Sequence, residues 1–202
     1  AVNIDNETNK RKFALLQVRT MMDDSVDIDI DLTEVDRESA VVISSKSLGN
    51  GVIDDIRDVV YVNPSKLDRM RTTNLTDEIE AIDAILRKQK RPYLLIGPGR
   101  WGSSDPSLGI PVEWNQIMGA KAIVEVPMSD IHVEPSQGTH FFQNIVSFNI
   151  GYLTIGHDDL VDWDWLDSYE PETKFGPLRH VRIEKPLKVI LDSRDSEALV
   201  LR

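Results

Sequence analysis

One short segment combines residue types that could bind a phosphate or a carboxylate group. It is the glycine loop, residues 97–104, in which three glycines surround Arg100. Glycines let a backbone turn sharply and present successive N–H groups to an anion, and a guanidinium binds an oxyanion through two hydrogen bonds. A structural turn around a packed Trp101 is the alternative explanation. On the binding hypothesis the ligand contacts are Gly97, Gly99, Arg100, Gly102, Ser103 and Ser104.

A second segment, SQGTHFFQN, offers a nucleophile. His140 follows a Gly-Thr turn and precedes an apolar stretch with helical character. A neutral imidazole can act near pH 7 as a nucleophile and as a proton shuttle. We therefore predict His140 as a catalytic residue with Thr139 beside it in the ligand site, the alternative being a histidine that caps or packs under the helix. The other histidines are predicted to be structural or on the surface: His132, His157 and His180.

The acidic residues do not predict a metal site. Residues 26–32 alternate between apolar residues and aspartates, which is typical of a strand with one solvated face. The calcium loop of an EF-hand needs a glycine at its sixth position and a glutamate at its twelfth, and that spacing does not occur here. The acidic pairs at 158–159 and at 162 and 164 are interpreted as solvated loop charges.

Composition narrows the class of protein. A net charge of −11 disfavours a nucleic-acid surface, which needs clustered lysine and arginine. The sequence has no cysteine, which excludes disulfides and cysteine nucleophiles. No apolar run is long enough to span a membrane and no secretory signal opens the chain, so we expect a cytoplasmic protein. The chain opens in a polar stretch without a methionine, and we expect a fragment of a longer protein.

Strands and helices must alternate to position the two segments. The clearest predicted helix is 74–90, with an apolar stripe, acids in its first turn and basic residues in its last. Shorter helical stretches are predicted at 112–118 and 141–148, and 158–177 is expected to be an excursion outside the core. The predicted strands are 13–21, 26–32, Ala40–Ser44, 58–63, 93–96, Ala120–Val126, 151–155 and a C-terminal hairpin around 192–196. This pattern predicts an α/β fold with a central, mostly buried sheet.

The segment KFALLQVRTM resembles the strand that closes the ATP-grasp nucleotide domain of phosphoenolpyruvate synthases and pyruvate phosphate dikinases. Gln17 and Arg19 occupy the Gln and Arg of the family's LQ-x-R-P signature, with Thr20 in place of the proline. The resemblance implies that both residues belong to the remnant of a nucleotide site. It also implies that residues 1–35 are the end of a preceding ATP-grasp-like domain or a linker.

The remaining segments resemble, in their order, the phosphohistidine swivelling domain of the same enzymes. They are SLGNG, YLLIGPG, AKAIVEV, QGTHFFQNIVSFNIGYLTIG and LKVILDSRDSEALVL. The resemblance implies a swivelling β/β/α-type domain over residues 36–202 and places His140 at the phosphorylated histidine. The sequence departs from the family where GTHFF replaces TSHAA and where LGIP precedes the AKAIVEV strand.

This resemblance implies the C-terminal fragment of a phosphoenolpyruvate synthase-like phosphotransferase. His140 would carry a phosphoryl group between ATP and pyruvate or phosphoenolpyruvate, with ATP and Mg²⁺ bound by the full-length parent. The other domains of that parent would be its partners, and the fragment alone would be inactive. The alternative is a non-catalytic or regulatory domain that binds a nucleotide or an organic acid at the glycine loop. A third hypothesis makes the tryptophan-bearing acidic segment, residues 158–169, a partner surface.

Overall fold

The computed structural model describes residues 2–4, 11–13, 32, 35–67, 75–128, 140–192 and 194–202, with the backbone alone for 2–4, 11–13 and His140. The helices are α1 (Leu75–Lys88), α2 (His140–Ser147) and α3 (Trp163–Asp167). The strands are β1 (Val2–Ile4), β2 (Arg11–Phe13), β3 (Ala40–Ser44), β4 (Lys46–Leu48), β5 (Gly51–Val62), β6 (Tyr93–Pro98), β7 (Arg100–Trp101), β8 (Gly109–Ile110), β9 (Ala120–Val126), β10 (Gly151–Thr154), β11 (Leu160–Val161), β12 (Thr173–Phe175), β13 (Leu178–Asp192) and β14 (Glu197–Leu201).

A mixed sheet of ten strands organises the part of the chain that the structure describes. Its order is β11-β3-β14-β13-β5-β6-β9-β10-β4, with β12 attached to β13. Strands β5, β6, β9 and β10 lie side by side in chain order and are parallel, whereas their flanking strands are antiparallel. The predicted α/β class is confirmed at this level. The swivelling-type architecture and the division at residue 35 stay predictions.

Helix α1 connects β5 to β6 and covers one face of the sheet. Its apolar stripe is buried, from Leu75 through Ile79 and Ile82 to Leu86. These side chains pack with apolar residues of the parallel strands and of α2 in a single cluster. The helix occupies residues 75–88, which confirms the amphipathic helix predicted over 74–90.

The other face of the sheet carries a second apolar cluster. Leu166 of α3 is fully buried in it, and Trp163 and Trp165 pack against it. The expectation that residues 158–177 lie outside the core was therefore wrong. Asp158, Asp164 and Glu170 are exposed, whereas Asp167 accepts the hydroxyl of the buried Tyr61 and the apolar residues of the segment reach the sheet.

Two further elements differ from their predicted bounds. The strand predicted over 58–63 begins at Gly51. Asp54 and Asp55 are exposed and polar, so the sequence does not suggest a strand there, but the backbone of this part of β5 pairs with β13. The helical stretch expected over 112–118 is a single 3-10 turn, Trp114–Gln116. The predicted strand over 26–32 falls outside the described residues except for Leu32, as does nearly all of that over 13–21. None of the helices in the described ranges is long and apolar enough to cross a membrane.

Candidate functional site at the carboxyl ends of the parallel strands

The glycine loop and the start of α2 lie at the same edge of the sheet. The loop leaves the carboxyl end of β6, and α2 belongs to the connection that leaves the carboxyl end of β9. Ligands of open α/β sheets bind in the crevice outside the carboxyl ends of parallel strands. Both segments that the sequence singles out are therefore positioned where this architecture binds small molecules.

The two segments are in direct contact. Gly102 has a φ of +75°, and a Cβ added there would lie 2.5 Å from Cδ2 of Phe141. Phe141 is the second residue of α2 and is buried. The residue after His140 in the sequence is therefore held against the glycine loop.

The other glycines of the loop are required by close packing. A Cβ at Gly97 would lie 2.5 Å from Cζ2 of Trp101, whose side chain is almost completely buried. Gly99 has a φ of +65°, and a Cβ there would overlap the carbonyl oxygen of Leu108. The structural turn around Trp101, considered above as an alternative, is thus present.

Three backbone N–H groups of the loop are used within the protein. Gly99 donates to the carbonyl of Val126 at 2.8 Å, and Gly102 donates to the carbonyl of Ile110 at 2.9 Å. The N–H of Trp101 donates to Oε1 of Glu125 at 3.1 Å. These groups do not form the anion-binding nest that the glycines suggest. Binding by the loop stays a prediction that depends on the side chains of Arg100, Ser103 and Ser104.

Those three side chains differ in their surroundings. Arg100 is half-buried and Ser104 is exposed. The hydroxyl of Ser103 donates to the carbonyl of Asp105 at 2.9 Å and accepts its N–H at 3.2 Å. Asp105 in turn accepts two hydrogen bonds from Ser107, which lower the pKa of its carboxyl group. The loop therefore ends in an ordered hydrogen-bonded turn.

A buried glutamate lies beneath the loop. Glu125, on β9, accepts the Trp101 N–H through one carboxylate oxygen and the hydroxyl of Tyr152, at 2.5 Å, through the other. Sequence reasoning missed this residue. The signal that could have revealed it is a glutamate near the carboxyl end of AKAIVEV, a strand in which Lys121 is the other charged residue.

Several predicted site residues fall where the structure does not describe them. Helix α2 begins at His140, as expected for a histidine at a helix start, and only the backbone of that residue is described. Thr139, Gln17 and Arg19 lie outside the described residues. Their predicted roles stay predictions.

A second polar cluster lies at the opposite end of the parallel strands. Asp58 pairs in register with Tyr93, the first residue of β6. Its buried carboxylate accepts hydrogen bonds from His180 at 2.9 Å, from Arg182 at 2.7 Å and from both Nε and Nη2 of Arg91. Burial acts to raise the pKa of Asp58, but these hydrogen bonds outweigh it and hold the pKa below its ordinary value.

This second cluster has the spacing of a metal site but not its chemistry. One ligand atom each from Asp58, Glu172 and His180 lies within 4.8 Å of the other two. A divalent cation needs free carboxylate lone pairs, and both oxygens of Asp58 already accept hydrogen bonds from cationic side chains. The cluster is an ion-pair network, and His180 has the structural position predicted for it.

Another buried aspartate connects α1 to the loop before β9. Asp83 accepts the Gly119 N–H at 2.7 Å and the hydroxyl of Tyr93 at 3.0 Å. Arg87, which pairs with its Oδ2 at 3.4 Å, is half-exposed. Burial is the largest influence on Asp83 and raises the pKa of its carboxyl group, in contrast to Asp58.

Comparison of the chain with protein-family models, with curated proteins and with solved structures found no match in any of the three.

Proposed function

We propose that this chain binds a phosphate- or carboxylate-bearing small molecule at the edge where the glycine loop meets the first turn of α2. The observation that carries the proposal is the contact between Gly102 and Phe141, which brings the two segments together at the carboxyl edge of the parallel strands. The first N–H groups of a helix have no acceptor within the helix, and the helix dipole favours an anion there. Arg100, on the adjacent loop, would supply the matching positive charge.

Within this proposal the chain is the phosphate-handling part of a phosphoenolpyruvate synthase-like phosphotransferase. An imidazole nitrogen of His140 would form a bond to phosphorus while the bond from phosphorus to the donor's leaving oxygen breaks. An oxygen of pyruvate or a related acceptor would then displace the histidine and take the phosphoryl group. Such transfer depends mainly on positioning and on neutralising charge, which are the roles proposed for α2 and Arg100.

The rest of the reaction would belong to other parts of the parent protein. ATP and Mg²⁺ would be bound by its nucleotide domain, of which residues 1–35 are the proposed end. Residues 36–202 would then be a divergent swivelling-type domain, and the chain alone would not turn over. This division of roles among domains follows from the resemblance described above, and the carboxyl-edge geometry is compatible with it.

A second candidate function is ligand binding without catalysis. It is favoured by the way the loop is fixed, because Gly99, Trp101 and Gly102 all donate their N–H groups within the protein. Phe141 is also buried against the loop, which ties α2 to the sheet. On this hypothesis a nucleotide or an organic acid binds at the edge, and His140 is a helix-start residue with no chemical role.

Labelling of the full-length parent with ³²P-phosphoenolpyruvate or γ- and β-labelled ATP separates the two candidates. Phosphotransfer predicts an acid-labile, base-stable label that His140→Ala abolishes. The matched control is His157→Ala, because His157 is fully exposed. A label that persists in His140→Ala contradicts the carrier role. Binding is tested by calorimetry with phosphate, pyrophosphate and phosphoenolpyruvate, and failure of all three to bind, or equal affinity in Arg100→Ala, contradicts the proposed site.

A further inference from the structure

Glu125 has hydrogen-bond donors on two separate elements of the candidate site. One oxygen of its carboxylate accepts the Trp101 N–H of the glycine loop at 3.1 Å. The other accepts the hydroxyl of Tyr152, on β10, at 2.5 Å. The glutamate is 5% exposed, so both hydrogen bonds are shielded from water. A buried carboxylate is unfavourable without such donors, and this one uses its two oxygens in two directions.

The Tyr152 contact extends to α2. The ring of Phe142, the third residue of the helix, packs edge-on against the ring of Tyr152 with the centroids 5.4 Å apart. The indole of Trp101 is fixed as well, because its Nε1 donates to the carbonyl of Val124 at 3.2 Å. Glu125, on β9, is therefore connected to the glycine loop through the Trp101 N–H and to α2 through Tyr152, against which Phe142 packs.

We infer that Glu125 is a positioning residue of the carboxyl-edge site, which sets the glycine loop and the first turn of α2 in a fixed relation. The inference rests on the proposed function, because its effect on binding assumes that a phosphate-bearing ligand contacts both the glycine loop and α2. Arg100 precedes Trp101 directly, so the hydrogen bond to the Trp101 N–H fixes the backbone that carries the guanidinium. Glu125 acts through these groups and does not itself contact the ligand.

Glu125→Ala, Glu125→Gln and Tyr152→Phe test the inference. Alanine removes the acceptor of both hydrogen bonds. Glutamine keeps the shape, and its amide oxygen can accept the Trp101 N–H while its NH₂ group donates to the Tyr152 oxygen. Phenylalanine removes only the hydroxyl donor. Backbone hydrogen exchange of the unliganded chain and calorimetric affinity for inorganic pyrophosphate are measured for each variant.

Loss of one buried hydrogen bond changes the equilibrium constant that depends on it by about tenfold. We expect exchange of the Trp101 amide to be about tenfold faster in Glu125→Ala, with the amides of Ile82 and Leu86 in α1 unchanged as an internal control. Pyrophosphate affinity should fall about tenfold in Glu125→Ala, stay within about threefold in Glu125→Gln, and fall about threefold in Tyr152→Phe.

Two outcomes would overturn the inference. One is an unchanged exchange rate of the Trp101 amide in Glu125→Ala. The other is that Glu125→Ala and Glu125→Gln change the exchange rate and the pyrophosphate affinity by the same factors. If Glu125→Ala does not fold, Glu125→Gln and Tyr152→Phe test the inference instead. An unaltered pyrophosphate affinity in Tyr152→Phe then contradicts the link from Glu125 to α2. If the unaltered chain binds no pyrophosphate, phosphate or phosphoenolpyruvate, the proposed site fails. The exchange data then decide the positioning of the loop on their own.

Discussion

Nε2 of His180 lies 2.9 Å from Oδ1 of Asp58 in the interior between β13 and β5. The same carboxylate accepts hydrogen bonds from Arg91 and Arg182, so one buried acid is surrounded by three basic side chains. The pairing of β13 with β5 shifts register just after Arg182. The network therefore holds the two strands together where their ladder is interrupted.

Asp58→Asn should destabilise the chain by about 2 to 4 kcal/mol, because it leaves partly buried cations without their counter-charge. The measurement is urea denaturation at pH 7, with Asp54→Asn as the matched control. Asp54 lies on the same strand and is exposed, so its substitution should change the free energy of unfolding by less than about 0.5 kcal/mol. Equal midpoints for the two variants would contradict the prediction.

The lowered pKa of Asp58 also predicts that the free energy of unfolding decreases in acid. The folded state holds this carboxyl group ionised below the ordinary aspartate pKa of about 3.9, so the unfolded state binds more protons. Its contribution to stability is complete above that pH and is lost as the pH falls through the lowered folded-state value. Denaturation between pH 6 and pH 2 should show a shallower loss of stability in Asp58→Asn than in the unaltered chain.

Asp83→Asn should behave in the opposite way. Burial raises the pKa of Asp83, so its contribution is complete below the ordinary aspartate pKa and is lost as the pH rises through the raised folded-state value. Asparagine keeps an oxygen for the Gly119 N–H and the Tyr93 hydroxyl without the buried charge. We expect the variant to be within about 1 kcal/mol of the unaltered chain at pH 7, with its relative stability increasing from pH 4 upward. A loss above about 2 kcal/mol at pH 7 would refute this.

Gly102→Ala should separate the glycine loop from α2. Its Cβ would overlap the ring of Phe141 at a φ of +75°, whereas Gly176, with a φ of +52°, has nothing within 4 Å of an added Cβ. Gly176→Ala should cost about 1 kcal/mol from backbone strain alone, and Gly102→Ala about 2 kcal/mol more from overpacking. In a double-mutant cycle, adding Phe141→Ala should reduce the cost of Gly102→Ala to the free energy of unfolding by at least about 1 kcal/mol. Additive effects would mean that the two residues do not meet.

Tyr61→Phe should loosen α3. The buried hydroxyl of Tyr61 donates to Oδ1 of Asp167 and to the carbonyl of Leu166, and burial together with Asp167 raises the pKa of the phenol. Removing the hydroxyl should cost about 1 to 2 kcal/mol in urea denaturation. Tyr169→Phe, at a half-buried tyrosine near the end of α3, is the control and should cost less. A cost for Tyr61→Phe no greater than for the control would show that these hydrogen bonds do not hold α3.

The parts of the fold that depend on local pattern could be predicted from the sequence. Helix α1 has a continuous apolar stripe, and β3 and β9 are short apolar runs whose predicted bounds match the structure. The roles of Glu125 and Asp58 could not be predicted, because their partners are distant in the chain. Glu125 accepts from residues 24 and 27 positions away, and Asp58 from residues 33, 122 and 124 positions away.

The glycine loop shows why one sequence pattern can have two different structural explanations. Its glycines predict N–H groups aimed at an anion, yet the structure needs them for the close approach of Trp101, Leu108 and Phe141. Composition alone does not separate these two uses, because both need a backbone without a Cβ. The contact with α2, which supports the proposed site, arises from the order of the strands and not from the loop itself.

The position of β3 has a consequence for synthesis on the ribosome. This strand lies between β11 and β14, so its neighbours in the sheet are made long after it. At about 5 to 20 residues per second, the backbone of Ala40–Ser44 waits on the order of 8 to 30 s for β14 to follow. Until β11 has been made, the apolar strand AVVIS lacks both of its neighbours in the sheet, and its edge toward β14 stays open for the whole interval. Nascent chains should therefore bind chaperones that recognise apolar extended segments until β14 emerges.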